Sequence, residues 1–433
     1  MRSSSTDEPV GPLVDRLFRR SAGRMIAALT GALGTAHLDL AEDVVQEALL
    51  KALQTWPYHG VPDNPEGWLY RVARNRAIDE IRRSRTARRR LGDGARDVLP
   101  APPPPSDIGS RSGIASRFDD DELTMMFLAC HPALTRTMRV TLTLKVVAGF
   151  STDEIAAAFL ADRRAVQQRL VRAKRILRER DVPFAMPAET ELPRRLGSVL
   201  RVIYLVFNEG YGASSGSALV RGELCGEAVR LGLALAGHPA TDRPEVHALL
   251  AIMYLQASRI PARTDRAGAP ILLEDQDRGL WDRRAIAAGL SHLDRAGAGD
   301  RLTSYHLEAA IAACHAAAPD FASTDWTRVL ELYEELSRLR PSSVIKLNRS
   351  VAVAMVHGPE AGLRALDELL EDRAMQRYHL YSAVRGRLLE RAGRTREAAT
   401  AYRSALDLVR TAPERKFLGA RLDAMENERT GDR

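Results

Sequence analysis

Cysteine is scarce: Cys130, Cys225 and Cys314 are the only three in 433 residues. Three thiols, odd in number and far apart, exclude a disulfide framework and lack the paired spacing of a zinc site. They fit buried free thiols in a reducing compartment. Aromatic residues make up only 5% of the chain. Runs rich in Val, Ile, Tyr and Thr are equally few, which argues against a sheet-based fold. No apolar run approaches the roughly 18 residues of a membrane helix. The N-terminus, MRSSSTDEPVG, carries no apolar signal core, so no membrane partner is expected and the expected location is cytoplasmic. No nucleophile–base pair, metal cluster or cofactor loop stands out. Catalytic residues, metals and cofactors are therefore not expected.

What is present in quantity is Ala, Leu and Arg, which are strong helix formers. The expected fold class is all-α. With 45% hydrophobic and 27% charged residues, the chain can bury a sizeable core, and its length suggests two to four domains. The formal net charge is +7, and it is unevenly placed. Residues 1–181 hold 29 Lys and Arg against 23 Asp and Glu, and the remainder holds 34 against 33. Two windows carry most of the excess: 71–90, with nine Arg and two acids, and 163–180, with eight basic residues and one acid. Confined basic patches suggest a polyanion, because Lys and Arg on phosphates supply nucleic-acid affinity. Composition alone fits two solvated helix faces equally well.

Pro100 and Pro102 to Pro105, followed by SDIGSRSG, mark residues 91–118 as a linker. It separates a helical block at 10–90 from a second at 119–181. A softer boundary lies at Asp181-Val182-Pro183. Beyond it, helical regions of near-zero net charge are expected at 188–300 and 301–428. Within the last, Tyr305-His306-Leu307-x-x-Ala310-Ile311 recurs as Tyr378-His379-Leu380-x-x-Ala383-Val384, an offset of 73. Half of that is close to the 34-residue period of tetratricopeptide helix pairs. Pairs are expected at 303–338, 342–371 and 376–409, with a further helix from about 413. A generic α-hairpin array is the alternative.

Three segments carry the functional reading. In Asp39-Leu-Ala-Glu42 followed by DVVQEALLKALQTW, Asp39 and Glu42 have capping-box spacing. Val45, Ala48, Leu49, Ala52, Leu53 and Trp56 recur at helical spacing as an expected buried stripe. Asp43, Gln46, Glu47, Lys51 and Gln54 fall on the other side. In NPEGWLYRVARNRAIDEIRR, which starts at Asn64, Leu69, Val72, Ala73, Ala77, Ile78 and Ile81 form an apolar face. Arg71, Arg74, Asn75, Arg82 and Arg83 form a basic one, with Trp68 and Tyr70 at its start. Basic groups beside aromatic platforms suit single-stranded nucleic acid, although Trp68 could equally anchor a core. In the third segment, Ser151 and Glu154 form a second capping box, a short helix runs to about Leu160, and another starts near Arg163. Val166, Leu170, Ala173 and Leu177 share one side, and Arg164, Gln168, Arg172 and Arg175 another. A short helix, a tight turn and a basic, glutamine-bearing helix make a helix-turn-helix pattern, whose second helix enters the major groove.

Taken in order, these segments resemble the extracytoplasmic-function sigma factors of the sigma-70 family. AEDVVQEALLKAL and NPEGWLYRVARNRAIDEIRR resemble region 2, a helical bundle. The stretch from Phe127-Leu-Ala-Cys130-His131-Pro132-Ala-Leu through the helix-turn-helix resembles region 4. The resemblance covers about 10–180. It implies that Asp43, Gln46, Glu47 and Lys51 dock on core RNA polymerase. It implies that Trp68, Arg71, Arg74, Asn75, Arg82 and Arg83 recognise the −10 element of promoter DNA and help to melt it. It further implies that Arg163, Arg164, Gln167, Gln168, Arg169, Arg172, Lys174 and Arg175 read the −35 element. Sigma factors themselves do no chemistry. Phe207, Asn208, Glu209, Gly210 and Tyr211, continued by GASSG and a helical-repeat tail, are similar to the subgroup with a C-terminal tetratricopeptide-like extension. Such an extension would regulate the factor in cis and could bind a regulatory protein. The Gly/Ser-rich loop lacks the Lys of a P-loop. Asn208, Glu209 and Tyr211 could instead be a buried polar knot tying the extension to region 4. Cys130-His131 and Cys314-His315 lack a second pair at ligand spacing and read as core residues. The competing reading is a one-component helix-turn-helix regulator with a repeat-based sensor, which would bind duplex DNA unaided.

Overall fold

The computed structural model describes residues 10–90, 111–159, 161–213 and 218–431. Among these residues the fold is all-α. No strand occurs there; an isolated antiparallel bridge joins Thr264 and Pro270, and Thr411 is a further bridge residue. The chain divides into two compact units, Met1–Val202 and Ile203–Arg433.

The first unit contains α1 (Val10–Leu33), α2 (Leu38–His59), α3 (Pro65–Arg90), α4 (Arg111–Ala129), α5 (Arg136–Val146), α6 (Thr152–Phe159) and α7 (Arg163–Glu179). Helices α1, α2 and α3 pack on one another, and α1 also packs on α4 and α5. The two helical blocks therefore share one compact unit. Met25, Leu29, Trp56, Leu69, Phe127, Leu142 and Leu144 are fully buried in it. Close approach of α1 to the end of α5 depends on Gly23: a Cβ there would lie 1.9 Å from the Val147 carbonyl oxygen. No side chain larger than hydrogen fits without backbone movement.

Several local expectations need correction. Helix α4 begins at Arg111, inside the 91–118 segment read as linker. The last proline of that segment is Pro105, so nothing beyond it blocks a helix; Pro100 and Pro102–Pro105 lie outside the described residues. Helix α2 begins at Leu38, and its N-cap, His37, makes no side-chain cap bond. Asp39 and Glu42 thus do not form a capping box, because both carboxylates are drawn to Lys174. The buried stripe of α2 is Ala41, Val44, Val45, Ala48, Leu49, Ala52 and Trp56, whereas Leu53 is 41% exposed. The second capping box is present. The Ser151 amide donates to Glu154 Oε2 at 2.7 Å, and the Glu154 amide donates to Ser151 Oγ at 3.1 Å.

The boundary between the units falls within α8 (Leu192–Tyr211). The second unit continues with α9 (Gly222–Gly237), α10 (Pro244–Ala257) and α11 (Arg283–Ala296). Next come α12 (Ser304–Ala317), α13 (Trp326–Leu339), α14 (Ser343–His357), α15 (Pro359–Asp367), the short α16 (Arg373–Gln376), α17 (His379–Arg391), α18 (Thr395–Leu408) and α19 (Ala412–Gly431). Sequence neighbours pack as pairs: α12 with α13, α14 with α15, α17 with α18. In the last pair Gly386 lets the Tyr402 ring lie against α17, and the Tyr402 hydroxyl donates to Glu390 at 2.5 Å. The connection between α10 and α11 is pinned at two points. Buried Arg278 donates to the carbonyls of His315 and Ala318, satisfying the open C-terminal end of α12. Glu274 accepts from Arg387 of α17 at 2.5 Å.

Candidate nucleic-acid and protein interfaces

Helix α7 starts cleanly because Asp162 accepts hydrogen bonds from the amides of Arg164 (2.7 Å) and Ala165 (3.3 Å). Val166, Leu170, Ala173 and Leu177 are buried, as their spacing requires. Arg164, Gln167, Gln168, Arg172 and Arg175 are exposed on the opposite side. Arg163 is held by Asp153 of α6 at 3.2 Å, and Arg175 by Glu179 at 3.6 Å. Arg169 is half-buried. The arrangement is a basic, amide-bearing face on a capped helix, suited to phosphates and base edges. We predict that Asp162→Ala, which orphans two first-turn amides, costs about 1 kcal/mol of stability. A lower urea midpoint at unchanged slope is the expected reading.

Lys174 is placed otherwise than expected. Its side chain is only 13% exposed; the ammonium pairs with Glu42 Oε1 at 2.5 Å and donates to Asp39 Oδ1 at 2.8 Å, both on α2. Burial alone would lower its pKa, but the Glu42 and Asp39 carboxylates outweigh that effect and the net direction is upward. Glu42 is itself 6% exposed. Arg178 lies 3.9 Å from Asp39, and the Thr35 hydroxyl donates to the Val182 carbonyl at 2.8 Å. The recognition-type helix is thus clasped to α2 by a residue that the sequence placed among its DNA contacts. Asp43, beside this clasp, has its carboxyl pKa raised, chiefly by burial and against the pull of Lys174.

Helix α3 begins at Pro65, with the Asn64 side chain accepting from the Gly67 amide at 2.9 Å. Asparagine before a first-position proline is a strong helix start. Arg71, Asn75, Arg82 and Arg83 are exposed, and Arg74 is half-buried. Trp68 is half-buried and meets buried Trp56 edge-on, with ring centroids 5.5 Å apart. It therefore joins the basic face to the core rather than standing free. Arg76 pairs with Glu47 of α2 at 2.6 Å.

On α2 the exposed side carries Asp43, Gln46, Glu47 and Lys51 as expected, and also Leu50 at 59% exposure and Leu53 at 41%. Sequence periodicity put Leu53 inside and gave Leu50 no role. Position 50 lies three and four residues from Glu47 and Gln46, and that spacing already marked it as part of the polar face. Together these residues place an apolar centre inside a charged rim, the general layout of a protein–protein interface.

In the C-terminal motif, Phe207 is fully buried and stacks on Tyr211 at 5.8 Å. Glu209 pairs with Arg221 at 3.1 Å, both largely buried. Gly210 allows close approach to α9: a Cβ there would lie 2.7 Å from the Cys225 amide nitrogen. The Asn208 carbonyl accepts from the Gly212 amide at 2.9 Å. The Arg263 guanidinium lies 3.8 Å above the Tyr211 ring and also donates to the Tyr211 carbonyl. Glu209 and Tyr211 thus find these partners inside the second unit. Ser214 and Ser215 fall outside the described residues. Among the described residues no group of three or more His, Cys, Asp or Glu is arranged to hold a metal ion. None of the helices searched is long and apolar enough to cross a membrane.

A capped helix-turn-helix and an arginine-rich helix with an aromatic edge, built on one helical unit, define a DNA-binding transcription protein. Residues 16–95 match the family Sigma-70 region 2, and residues 124–177 match Sigma-70, region 4. Residues 195–297 match a family of unknown function, DUF6596. The chain is 41% identical over 399 residues to an uncharacterised protein of Rhizobium meliloti, covering 90% of this chain and 91% of that one. It is 27% identical over 174 residues to the ECF RNA polymerase sigma factor SigE of Mycolicibacterium smegmatis, covering 40% of this chain and 63% of that protein. No solved structure matches. The chain belongs to the extracytoplasmic-function sigma factors of the sigma-70 family, with a helical C-terminal extension.

Proposed function

We propose that this sigma factor directs bacterial core RNA polymerase to specific promoters. In this reading α2 docks on polymerase through Asp43, Gln46, Glu47 and Lys51, around Leu50 and Leu53. Helix α3 captures −10 bases with Arg71, Arg74, Asn75, Arg82 and Arg83, and Trp68 braces its start. Helix α7 reads the −35 element with Arg163, Arg164, Gln167, Gln168, Arg169, Arg172 and Arg175. Melting costs a few kcal/mol for each unstacked base, offset by phosphate and polymerase contacts. The observation that carries this reading is the pairing of two separate basic helix faces with an exposed apolar-and-acidic helix face in one unit. The second unit, near neutral and built of helix pairs, regulates the factor in cis or through a bound protein.

The test is gel filtration and gel shift with purified full-length protein. Co-elution with core polymerase is expected, together with a sequence-specific shift of promoter DNA only when polymerase is present. A specific shift by the protein alone, without polymerase binding, would favour a one-component regulator instead. Stopping the chain after Val202 tests the extension. Transcription should fall, and an unchanged transcript yield would exclude a positive role in cis.

A further inference from the structure

The exposed side of α7 is polar at every position but one. Val171 is 67% exposed, on the side of the helix turned away from the buried row of Leu170, Ala173 and Leu177. It sits one turn beyond Gln167 and Gln168 and one turn before Arg175, so it occupies the middle of the basic face. A β-branched residue is a poor choice for an exposed helix position: it lowers helix propensity and leaves its methyls in water. Its stiff χ1 instead presents those methyls in one fixed direction.

We propose that Val171 is a specificity-determining residue that reads the C5-methyl group of a thymine in the −35 element. The inference rests on the reading of α7 as the −35 reader. A recognition helix enters the major groove with successive turns of one face along the base edges. Each base pair there shows a distinct pattern, and thymine alone offers an apolar group. Arg164 and the two glutamines supply donors for guanine and adenine edges. Val171 has no donor or acceptor, so the groove feature it complements is the methyl. Contact buries about one methyl-sized group on each partner, and each such group is worth roughly fourfold in affinity.

The experiment uses full-length protein with core polymerase and the −35 element obtained by selection from a promoter library. Each thymine of that element is replaced in turn by deoxyuridine, which removes the C5-methyl group and leaves every hydrogen-bonding edge intact. Wild-type holoenzyme should lose about fourfold in affinity at one thymine. Val171→Ala should bind the unmodified element about fourfold or more weakly and be indifferent to deoxyuridine at that same position. Alanine is a better helix former than valine, so weaker binding would not reflect loss of the helix. Val171→Thr, which keeps one methyl, should fall between the two. Wild-type indifference at every thymine, an element without thymine on either strand, or unchanged deoxyuridine sensitivity in Val171→Ala would each overturn the proposal. Failure to select any −35 element would overturn the reading of α7 itself, and is a separate outcome.

Discussion

Replacing Glu42 by glutamine is expected to cost about 3 kcal/mol and to loosen α7 from α2. Removing one partner of a buried ion pair leaves an uncompensated charge, and that loss is typically several kcal/mol. Glutamine keeps the volume of Glu42 but leaves the Lys174 ammonium with Asp39, whose side chain is mostly exposed. Surface pairs such as Arg83–Glu80, by contrast, are worth well under 1 kcal/mol and carry no such expectation. The effect is local, so hydrogen exchange is the suitable readout. Amides of Leu38–Ala52 and Arg163–Leu177 should exchange faster in Glu42→Gln, while those of α17 and α18 should not change. Adding Lys174→Met should recover most of the loss, because an apolar side chain removes the buried charge rather than stranding it. Unchanged exchange in Glu42→Gln would show that the clasp contributes nothing. The clasp also bears on function, since one ammonium cannot hold these carboxylates and a DNA phosphate at once.

Replacing Leu50 and Leu53 together by aspartate is expected to weaken binding to core polymerase about 100-fold. Burying a leucine side chain fully is worth about 1.5–3 kcal/mol, so two partly buried leucines account for about 2.7 kcal/mol, a factor of 100. Both leucines are exposed, so the helix itself should survive, and its circular dichroism should match wild type. Retained polymerase affinity in the folded double variant would remove α2 from the docking surface. Comparable loss in Gln54→Ala, on the same helix but without an apolar group, would point to a general defect rather than to these two side chains.

Local signals in the chain were enough for the elements that carry function. The Ser151–Glu154 box, the basic windows at 71–90 and 163–180 and the periodic apolar rows each act within one helix. The box forms, most of the apolar rows are buried and most of the described basic residues of the two windows are exposed, and the helix pairs fall close to the repeat spacing read from Tyr305 and Tyr378. What was not legible is pairing over long range. Asp39 and Glu42 have the spacing of a cap, yet a lysine 135 residues beyond Asp39 claims them. Lys174 looks like its basic neighbours on a helical wheel, and only the approach of α2 turns it inward. Leu53 fails for the complementary reason. Periodicity identifies an apolar row but not its width, and small Ala48 and Ala52 already fill the space against the core. Position 111 follows a proline run whose influence ends at Pro105, so the prolines bound the linker more narrowly than its Gly and Ser content suggests.

The central claim is that this chain selects promoters for polymerase, and mapping the 5′ ends of transcripts tests it most directly. Core polymerase with and without the full-length protein would transcribe a linear promoter library, with every start site sequenced. The expected result is a set of protein-dependent starts that share one element about 10 base pairs upstream and a second, contacted by α7, about two helical turns farther, given the roughly 10.5 base pairs of each turn. Charge-neutral substitution of Arg71 and Arg74 should abolish those starts. Starts identical with and without the protein, or protein-dependent starts that share no upstream sequence, would contradict the claim.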